Sequence, residues 1–152
     1  AKPLANGFPI GAVLMRPHIA HAIAAGDHGT TFGGGPLTCR IAHHVLGRLG
    51  EPRMKEHIDS VSTYLFERLE RISEAFSDMV SAPRGRGLIV GISMRSAPWA
   101  GEVVRLARER GVLFLTAGSD AVRFVPSLIV ERAHIDEAMD VLESVLLVLR
   151  ST

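Results

Sequence analysis

The clearest pattern in this chain is the spacing of its apolar residues, which recur at intervals of three and four in two long segments. In the first segment, from Glu51 onward, the apolar positions are Met54, Ile58, Val61, Leu65, Leu69, Ile72 and Phe76. In the second segment, near the end of the chain, they are Ile135, Met139, Leu142, Val145, Leu146 and Leu149. Because this period places the apolar side chains on one face, both segments are predicted to be amphipathic helices packed on a core.

Between these two helices the pattern changes to short apolar runs that are separated by turn-forming residues. Pro83 and the glycines after it break the helical period, and a β-branched run follows. The predicted elements are a strand at 88–94, a helix at 101–110 and a hairpin formed by 112–115 and 121–125. This order of helices and strands predicts a compact α+β domain over residues 51–152.

Residues 1–50 follow a different pattern, with a single apolar run and a glycine-rich stretch. The predicted elements are a buried strand at 8–15, a helix at 18–25, a loop at 29–35 and a helix at 36–49. Pro36 suits the first turn of the last helix, and Gly50 suits its end. Because one strand cannot complete a sheet, we expect residues 1–50 to be the end of a larger domain whose other strands lie upstream.

Composition and charge narrow the class of protein. Hydrophobic residues make up 47% of the 152 positions and charged residues 22%, a balance that can bury a core. The formal net charge of +1, without runs of like charge, argues against a nucleic-acid partner. The apolar stretches fall short of the roughly 18 residues of a membrane span, so a soluble protein is predicted. The single cysteine, Cys39, excludes an intramolecular disulfide and is expected to be a buried apolar residue.

The seven histidines are candidate metal ligands. His18 and His21 lie about one turn apart, whereas His43 and His44 are adjacent and point to different faces of a helix. No carboxylate completes a set of ligands with either pair, so no metal site is predicted.

Two segments of the first fifty residues could carry chemistry. An unprotonated lysine amine can condense with an aldehyde, and the apolar run at 8–10 would give Lys2 an approach of low polarity. Thr30 and Thr31, followed by glycines and a helix that begins at Pro36, could bind a phosphate through hydroxyl and backbone N–H groups. On composition alone, an exposed lysine and an ordinary turn are the simpler interpretations.

Taken together, the two segments resemble the signature of class III aminotransferases. The matching runs are Ala-Lys-Pro-Leu-Ala-Asn-Gly-Phe-Pro-Ile-Gly-Ala at 1–12 and His-Gly-Thr-Thr-Phe-Gly-Gly-Gly-Pro at 28–36. In that family the lysine before the glycine-phenylalanine run carries pyridoxal phosphate, which implies that Lys2 is the catalytic and cofactor-binding residue. The second hydroxyl residue of the loop binds the cofactor phosphate from the neighbouring subunit. The resemblance therefore implies that Thr31 binds the phosphate and that Thr30 lies near the substrate.

A third run, Arg-Gly-Arg-Gly-Leu at 84–88, resembles the Arg-Gly-x-Gly-Leu segment of the same family. The arginine of that segment pairs with a substrate carboxylate or an active-site glutamate, which implies that Arg84 binds substrate. A loop arginine in a structural salt bridge is the alternative. Arg123 also lies in a family segment, but no role is assigned to it. The chain departs from the family pattern at Gly35, where relatives commonly have asparagine, and this leaves the loop more flexible.

The resemblance covers essentially the whole chain and is strongest to acetylornithine aminotransferases of eukaryotic type. It implies an α/β fold, namely the C-terminal part of a fold-type I pyridoxal-phosphate-dependent transferase. Residues 1–50 would be the end of the large cofactor-binding domain and residues 51–152 the small C-terminal α+β domain. The implied reaction transfers the terminal amino group of N-acetylornithine to 2-oxoglutarate in arginine biosynthesis. It would take place in a homodimer with shared active sites, in the mitochondrial matrix or alternatively in the cytoplasm.

Two alternatives stay open. Ornithine, 4-aminobutyrate or another ω-amino donor could replace N-acetylornithine, since the residues quoted do not distinguish these small molecules. The family also places several cofactor-binding residues before the lysine, so the chain alone is expected to be inactive. An inert fragment or structural module is therefore the alternative from a different class of function.

Overall fold

The computed structural model of this chain describes residues 2–151. It forms two compact units, which divide between Lys55 and Glu56. The sequence pattern places the division slightly earlier, at residue 50, where Gly50 ends one helix. The difference arises because the first turn of the following helix is grouped with the first unit.

The first unit is built around helix α2 (Pro36–Leu49), which has the bounds predicted from Pro36 and Gly50. A 3₁₀-helix, Lys2–Ala5, packs on α2 and buries its alanine completely. Cys39 was expected to be buried, but it is exposed in the first turn of α2. The reason is its position: the buried residue of α2 is Ala42, one turn further along the helix.

Two other predictions for the first unit are wrong. Residues 8–15 form no strand, and the Val13 and Leu14 side chains are 81% and 93% exposed. A strand needs a neighbour for its backbone N–H and C=O groups, and no other strand lies among the described residues of this unit. Of the predicted helix at 18–25, only the single turn α1 (Pro17–Ala20) forms. The residues of this turn are all exposed, so no packing supports a longer helix.

The second unit contains a four-stranded antiparallel sheet with the order β1-β2-β4-β3. Its strands are β1 (Arg84–Arg86), β2 (Ile89–Ser93), β3 (Leu115–Ala117) and β4 (Ala121–Phe124). Strands β2 and β4 confirm the predictions at 88–94 and 121–125. The predicted strand at 112–115 is misplaced, because Ala117 pairs with Ala121 and the turn is limited to residues 118–120, so that β3 lies at Leu115–Ala117. Strand β1 was not predicted, because its Arg-Gly-Arg sequence lacks the apolar alternation by which a strand is recognised.

Three helices cover one face of this sheet. They are α3 (Pro52–Ala75), α4 (Ala97–Glu109) and α5 (Arg132–Arg150). The period of apolar residues therefore predicted α3 and α5 correctly, whereas α4 begins earlier than expected because Pro98 lies in its first turn. The core between helices and sheet includes Leu65, Leu69, Ile72, Val90, Ile92, Val103, Val122, Phe124, Met139, Leu142 and Leu146.

Helices α3 and α5 are also joined by a polar network at their surface. The Tyr64 hydroxyl donates a hydrogen bond of 2.6 Å to Asp136 Oδ1, and Arg68 forms ion pairs with Asp136 and Asp140. Burial would lower the pKa of Arg68, but its hydrogen bonds to Asp140 and Tyr64 and the nearby carboxylate charges raise it above the ordinary value. Arg68 therefore stays charged and holds the two helices in register.

Candidate active site

Lys2, the predicted cofactor lysine, is the first residue of the 3₁₀-helix and has an exposed side chain. Its carbonyl accepts a hydrogen bond of 2.9 Å from the Gly7 N–H. The chain reverses here through Asn6, with a φ of 49°, and Gly7, with a φ of 95°. Asparagine and glycine tolerate this left-handed conformation better than other residues. The backbone conformation of this turn therefore favours the Asn-Gly pair that follows the lysine. The buried Ala5 anchors the turn.

The loop that carries Thr30 and Thr31 is packed closely on itself. Thr30 Oγ1 accepts a hydrogen bond of 3.3 Å from the Phe32 N–H. A β-carbon at Gly33 would lie 2.7 Å from Thr30 Cγ2, closer than carbon atoms approach without displacement. Only glycine therefore fits at position 33 while Thr30 keeps its observed orientation.

The segment after Lys2 and the threonine loop come together in the structure. A β-carbon at Gly34 would lie 3.7 Å from Ile10 Cδ1 and 3.4 Å from Cys39 Sγ, so this glycine is held between the two side chains. Nearby, a shallow groove is lined by residues 10–13 together with Thr30, Phe32 and Gly33. Lys2 and Thr31 do not line this groove, and the Thr31 side chain is exposed.

The threonine loop leads directly into the N-terminus of α2. Thr38 holds the last loop residue, because its hydroxyl accepts from the Gly35 N–H at 3.0 Å and donates to the Gly35 carbonyl at 2.9 Å. The positive end of the helix dipole and the threonine hydroxyls form a donor set suited to a phosphate group. Gly33, where a side chain would displace Thr30, allows Thr30 to keep its observed orientation in this loop. The residues present therefore fit the phosphate of pyridoxal phosphate.

Arg84, the predicted substrate residue, lies in the second unit at the start of β1. Gly87, with a φ of 58°, and Leu88 form the two-residue turn between β1 and β2, so glycine is favoured at the first turn position. Gly85 has a φ of 147°, and a β-carbon there would lie 2.1 Å from the Ile89 carbonyl oxygen. The two glycines of the run at 84–88 are thus required by a tight hairpin, which presents Arg84 on an edge strand.

Arg123 lies near Arg84 in the sheet, a relation that the sequence alone did not reveal. Gly91 of β2 pairs with Arg84 on one side and with Arg123 of β4 on the other. Residues that pair directly across antiparallel strands point to the same face. Both arginines therefore lie on the face of the sheet opposite the helices, and both are exposed. The alternation of apolar and polar residues at 121–125 predicts that Arg123 faces outward, but only the strand order places it beside Arg84.

Two alternatives to this site are a metal centre and a membrane-spanning helix. Among residues 2–151, no three histidine, cysteine, aspartate or glutamate side chains are grouped as a metal site would require. No helix within this range combines the length and the apolar character needed to cross a bilayer.

Comparison with protein families gives a match to the model described as Aminotransferase class-III, over residues 1–146. The chain is 43% identical over 143 residues to the mitochondrial acetylornithine aminotransferase of Neurospora crassa, covering 94% of this chain and 31% of that protein. It is 43% identical to the acetylornithine aminotransferase of Pseudomonas putida, covering 92% of this chain and 35% of that protein. The chain thus spans 31% to 35% of the length of these curated relatives.

Solved structures give the same result for the fold. A lysine aminotransferase from Mycobacterium tuberculosis superposes with a TM-score of 0.74 at 33% identity, covering 82% of this chain and 29% of that one. The N-acetylornithine aminotransferase of Stenotrophomonas maltophilia superposes with a TM-score of 0.71 at 31% identity, covering 79% and 33%. The α/β fold is thereby confirmed as part of a fold-type I transferase. The chain belongs to the class III aminotransferases, a family that depends on pyridoxal phosphate.

Proposed function

We propose that the full-length protein transfers the terminal amino group of N-acetylornithine to 2-oxoglutarate and yields an aldehyde and glutamate, a step of arginine biosynthesis. The observation that carries this proposal is the 43% identity to the Neurospora crassa acetylornithine aminotransferase over 94% of the chain. The contact of Ile10 with Gly34 supports it, because it brings the lysine segment and the threonine loop into one unit.

Lys2 is the proposed catalytic residue. Its amine would bind the aldehyde carbon of the cofactor, release it to the incoming donor, and then move a proton between the substrate carbon and the cofactor. The cofactor would supply an electron sink for the negative charge that develops at that carbon. The 3₁₀-helix and the Asn-Gly turn fix the backbone of Lys2, so that its long side chain is the mobile part of this arrangement.

Thr31 and Thr30 are proposed as the phosphate ligand and the substrate-side residue. The exposed Thr31 hydroxyl stands just ahead of the N-terminus of α2, where an anion is favoured by the helix dipole. We propose that this loop serves the cofactor of the neighbouring subunit, so that the enzyme works as a homodimer with shared active sites. The exposure of Thr31, which lies outside the groove beside Ile10, is consistent with a ligand in another subunit.

Arg84 and Arg123 are proposed to bind the substrate carboxylates. N-acetylornithine carries one carboxylate and 2-oxoglutarate carries two, and guanidinium groups bind carboxylates through paired hydrogen bonds. Arg84 was proposed from the family resemblance alone. Arg123 is added because the sheet register places it beside Arg84, on the other side of Gly91.

The domain assignment and the cellular location are also proposals. Residues 1–50 are assigned to the end of the large cofactor-binding domain and residues 51–152 to the small C-terminal domain. The mitochondrial matrix is the proposed location, because the Neurospora crassa and Saccharomyces cerevisiae relatives are named as mitochondrial proteins. The Pseudomonas putida relative is bacterial, so the location follows the organism rather than these residues.

A donor panel tests the proposed reaction. Glutamate formation from 2-oxoglutarate is measured for the full-length enzyme with N-acetylornithine, ornithine, 4-aminobutyrate and lysine. The proposal predicts the highest kcat/KM with N-acetylornithine. A higher kcat/KM with any of the other three donors would contradict the assigned substrate while leaving the aminotransferase assignment in place.

A further inference from the structure

The two edges of the four-stranded sheet differ in character. Strand β1 forms one edge and carries Arg84 and Arg86, and charged side chains keep an open strand edge from pairing with other segments. Strand β3 forms the other edge, and the run Val-Leu-Phe-Leu-Thr-Ala at 112–117 contains neither a charged residue nor a proline. Within residues 2–151, β3 pairs with β4 alone. The β3 edge, which comprises residues 112–117, is therefore open to another strand.

The β3 edge also exposes apolar side chains. Leu113 is 80% exposed and Leu115 is 52% exposed. The backbone of Leu113 makes no hydrogen bond to any residue in the described part of the chain. Unpaired backbone groups beside exposed apolar side chains are the features through which a strand edge binds an extended segment.

A cavity opens beside this edge, between the sheet and helices α3 and α5. Buried core side chains form its inner wall, among them Leu65, Phe124 and Met139, and residues 112–115 line it on the side of the β3 edge. The only lining residues with ionisable side chains are Arg123 and His134. The cavity has a volume of about 150 Å³, and an apolar cavity of this size can hold a benzene ring. It therefore suits an apolar side chain of leucine to phenylalanine size.

The edge and the cavity form one surface for a strand. Neighbouring strands lie about 4.8 Å apart, and their successive side chains point to opposite faces of the sheet. A strand added beside β3 would direct every second side chain toward the layer of helices, where the cavity opens. One of these side chains would fill the cavity while the backbone of the added strand pairs with the β3 edge.

We propose that the β3 edge and the cavity bind an extended, apolar segment of the same full-length polypeptide, one that lies outside residues 1–152. This segment pairs with β3 as an additional strand and inserts one apolar side chain between α3 and α5. The chain spans 31% to 35% of the length of its curated relatives, so most of their length belongs to segments beyond these residues. The inference goes beyond the proposed reaction and does not depend on the amino donor.

A second copy of the chain fits this surface less well. Pairing of β3 with the same strand of another copy would join two strands of three residues each, which bury far less than the roughly 1,200 Å² of a stable interface. A segment of the same polypeptide is held near the edge at a high effective concentration, so a short pairing is sufficient.

Filling the cavity tests the inference through the sign of a stability change in the full-length enzyme. Ala138 lines the cavity from α5, so Ala138→Leu adds apolar atoms to it. In an empty cavity these atoms would stabilise the protein. Where a segment already occupies the cavity, they collide with it and lower the midpoint of thermal unfolding by about 3 °C or more.

Ala133→Leu is the matched control, because Ala133 is exposed on the same helix and does not line the cavity. It is expected to leave the midpoint unchanged. A midpoint that rises or stays level in Ala138→Leu overturns the inference.

Photo-cross-linking identifies the occupant directly. The photoreactive residue p-benzoylphenylalanine is placed at Leu113 of the full-length enzyme and, as a control, at Leu147, which is 58% exposed on α5 and does not line the cavity. After irradiation, single subunits and linked dimers are separated by mass, and the linked peptides are identified by mass spectrometry.

The inference predicts that position 113 links, within one subunit, to a peptide outside residues 1–152, and that position 147 does not link to that peptide. A link from position 113 to the second subunit, or to residues 1–152 alone, overturns it. Neither measurement requires turnover, so a failure of the proposed aminotransferase reaction is detected separately.

Discussion

Gly33 and Thr30 pack so closely that a β-carbon at position 33 would lie 2.7 Å from Thr30 Cγ2. This contact fixes the threonine loop ahead of α2, where the cofactor phosphate is proposed to bind. The loop contains three consecutive glycines, yet each has a side chain of another residue against it: Thr30 at Gly33, Ile10 and Cys39 at Gly34, and Thr38 at Gly35. A glycine-rich sequence is here a closely packed loop.

The first prediction concerns this contact. Gly33→Ala displaces the Thr30 side chain and breaks its hydrogen bond with the Phe32 N–H, which spans Thr31. The proposed phosphate ligand Thr31 then shifts, so cofactor binding weakens by about 1 kcal/mol, roughly fivefold in Kd. Gly29→Ala is the matched control, since no atom lies within 4 Å of a β-carbon there. The Kd of pyridoxal phosphate for the apoenzyme is measured by titration. Equal effects of the two substitutions would show that the contact has no bearing on the cofactor.

The second prediction concerns the proposed phosphate ligand. Thr31→Ala removes the one charge-assisted hydrogen bond that its hydroxyl can donate to the phosphate and weakens cofactor binding by about 1.5 to 3 kcal/mol. Thr31→Ser keeps the hydroxyl and is expected to retain most of the affinity. Retention of the cofactor is measured by absorbance after dialysis. The assignment of Thr31 fails if the alanine variant holds the cofactor as tightly as the serine variant does.

The fold was predictable from the sequence where local pattern alone decides it. The periodic residues of α3 and α5, and Pro36 and Gly50 around α2, signal their helices without reference to any other part of the chain. Residues 8–15 were predicted as a strand because they are apolar. That inference failed because a strand also requires a neighbour, which the described part of the first unit lacks.

The site was predictable only in part, for a related reason. Lys2, Thr30, Thr31 and Arg84 were proposed as site residues through a resemblance to family motifs, and the structure shows where each lies in the fold. The relation of Arg84 to Arg123 depends on the strand order β1-β2-β4, which no local pattern encodes.

The third prediction concerns the hairpin that carries Arg84. Gly85→Ala forces a β-carbon to within 2.1 Å of the Ile89 carbonyl oxygen, at a φ of 147°. We expect it to lower the free energy of unfolding by about 3 kcal/mol or more, as strained backbone substitutions do. Gly101→Ala is the control: it lies in the interior of α4 with no atom within 4 Å, and should stabilise the protein by about 0.5 to 1 kcal/mol. Chemical denaturation measures both, and a stable Gly85→Ala protein would refute the hairpin geometry.

The fourth prediction concerns the network between α3 and α5. Arg68→Met leaves Asp136 and Asp140 facing each other without their cation and should lower the free energy of unfolding by about 1 to 3 kcal/mol. Arg71→Met, an exposed position on the same helix, is the control and should change little.

The pH dependence of this network follows from the same residue. The pKa of Arg68 is raised above its ordinary value, so its stabilising contribution is fully present below that ordinary value and is lost only as pH rises through the raised pKa. The difference in stability between wild type and Arg68→Met should therefore stay constant from neutral to mildly alkaline pH. A difference that disappears over this range would contradict the assigned role of Arg68.

The most direct test of the account is chemical trapping of the cofactor on Lys2. The chain contains only two lysines, Lys2 and Lys55, so Lys55 provides an internal comparison. The full-length enzyme is reduced with borohydride in the presence of pyridoxal phosphate, and the modified peptide is identified by mass spectrometry. The account predicts that the cofactor is attached to Lys2, that Lys2→Ala abolishes the attachment and that Lys55→Ala preserves it. Attachment to Lys55 or to a lysine outside residues 1–152, with Lys2 unmodified, would contradict it.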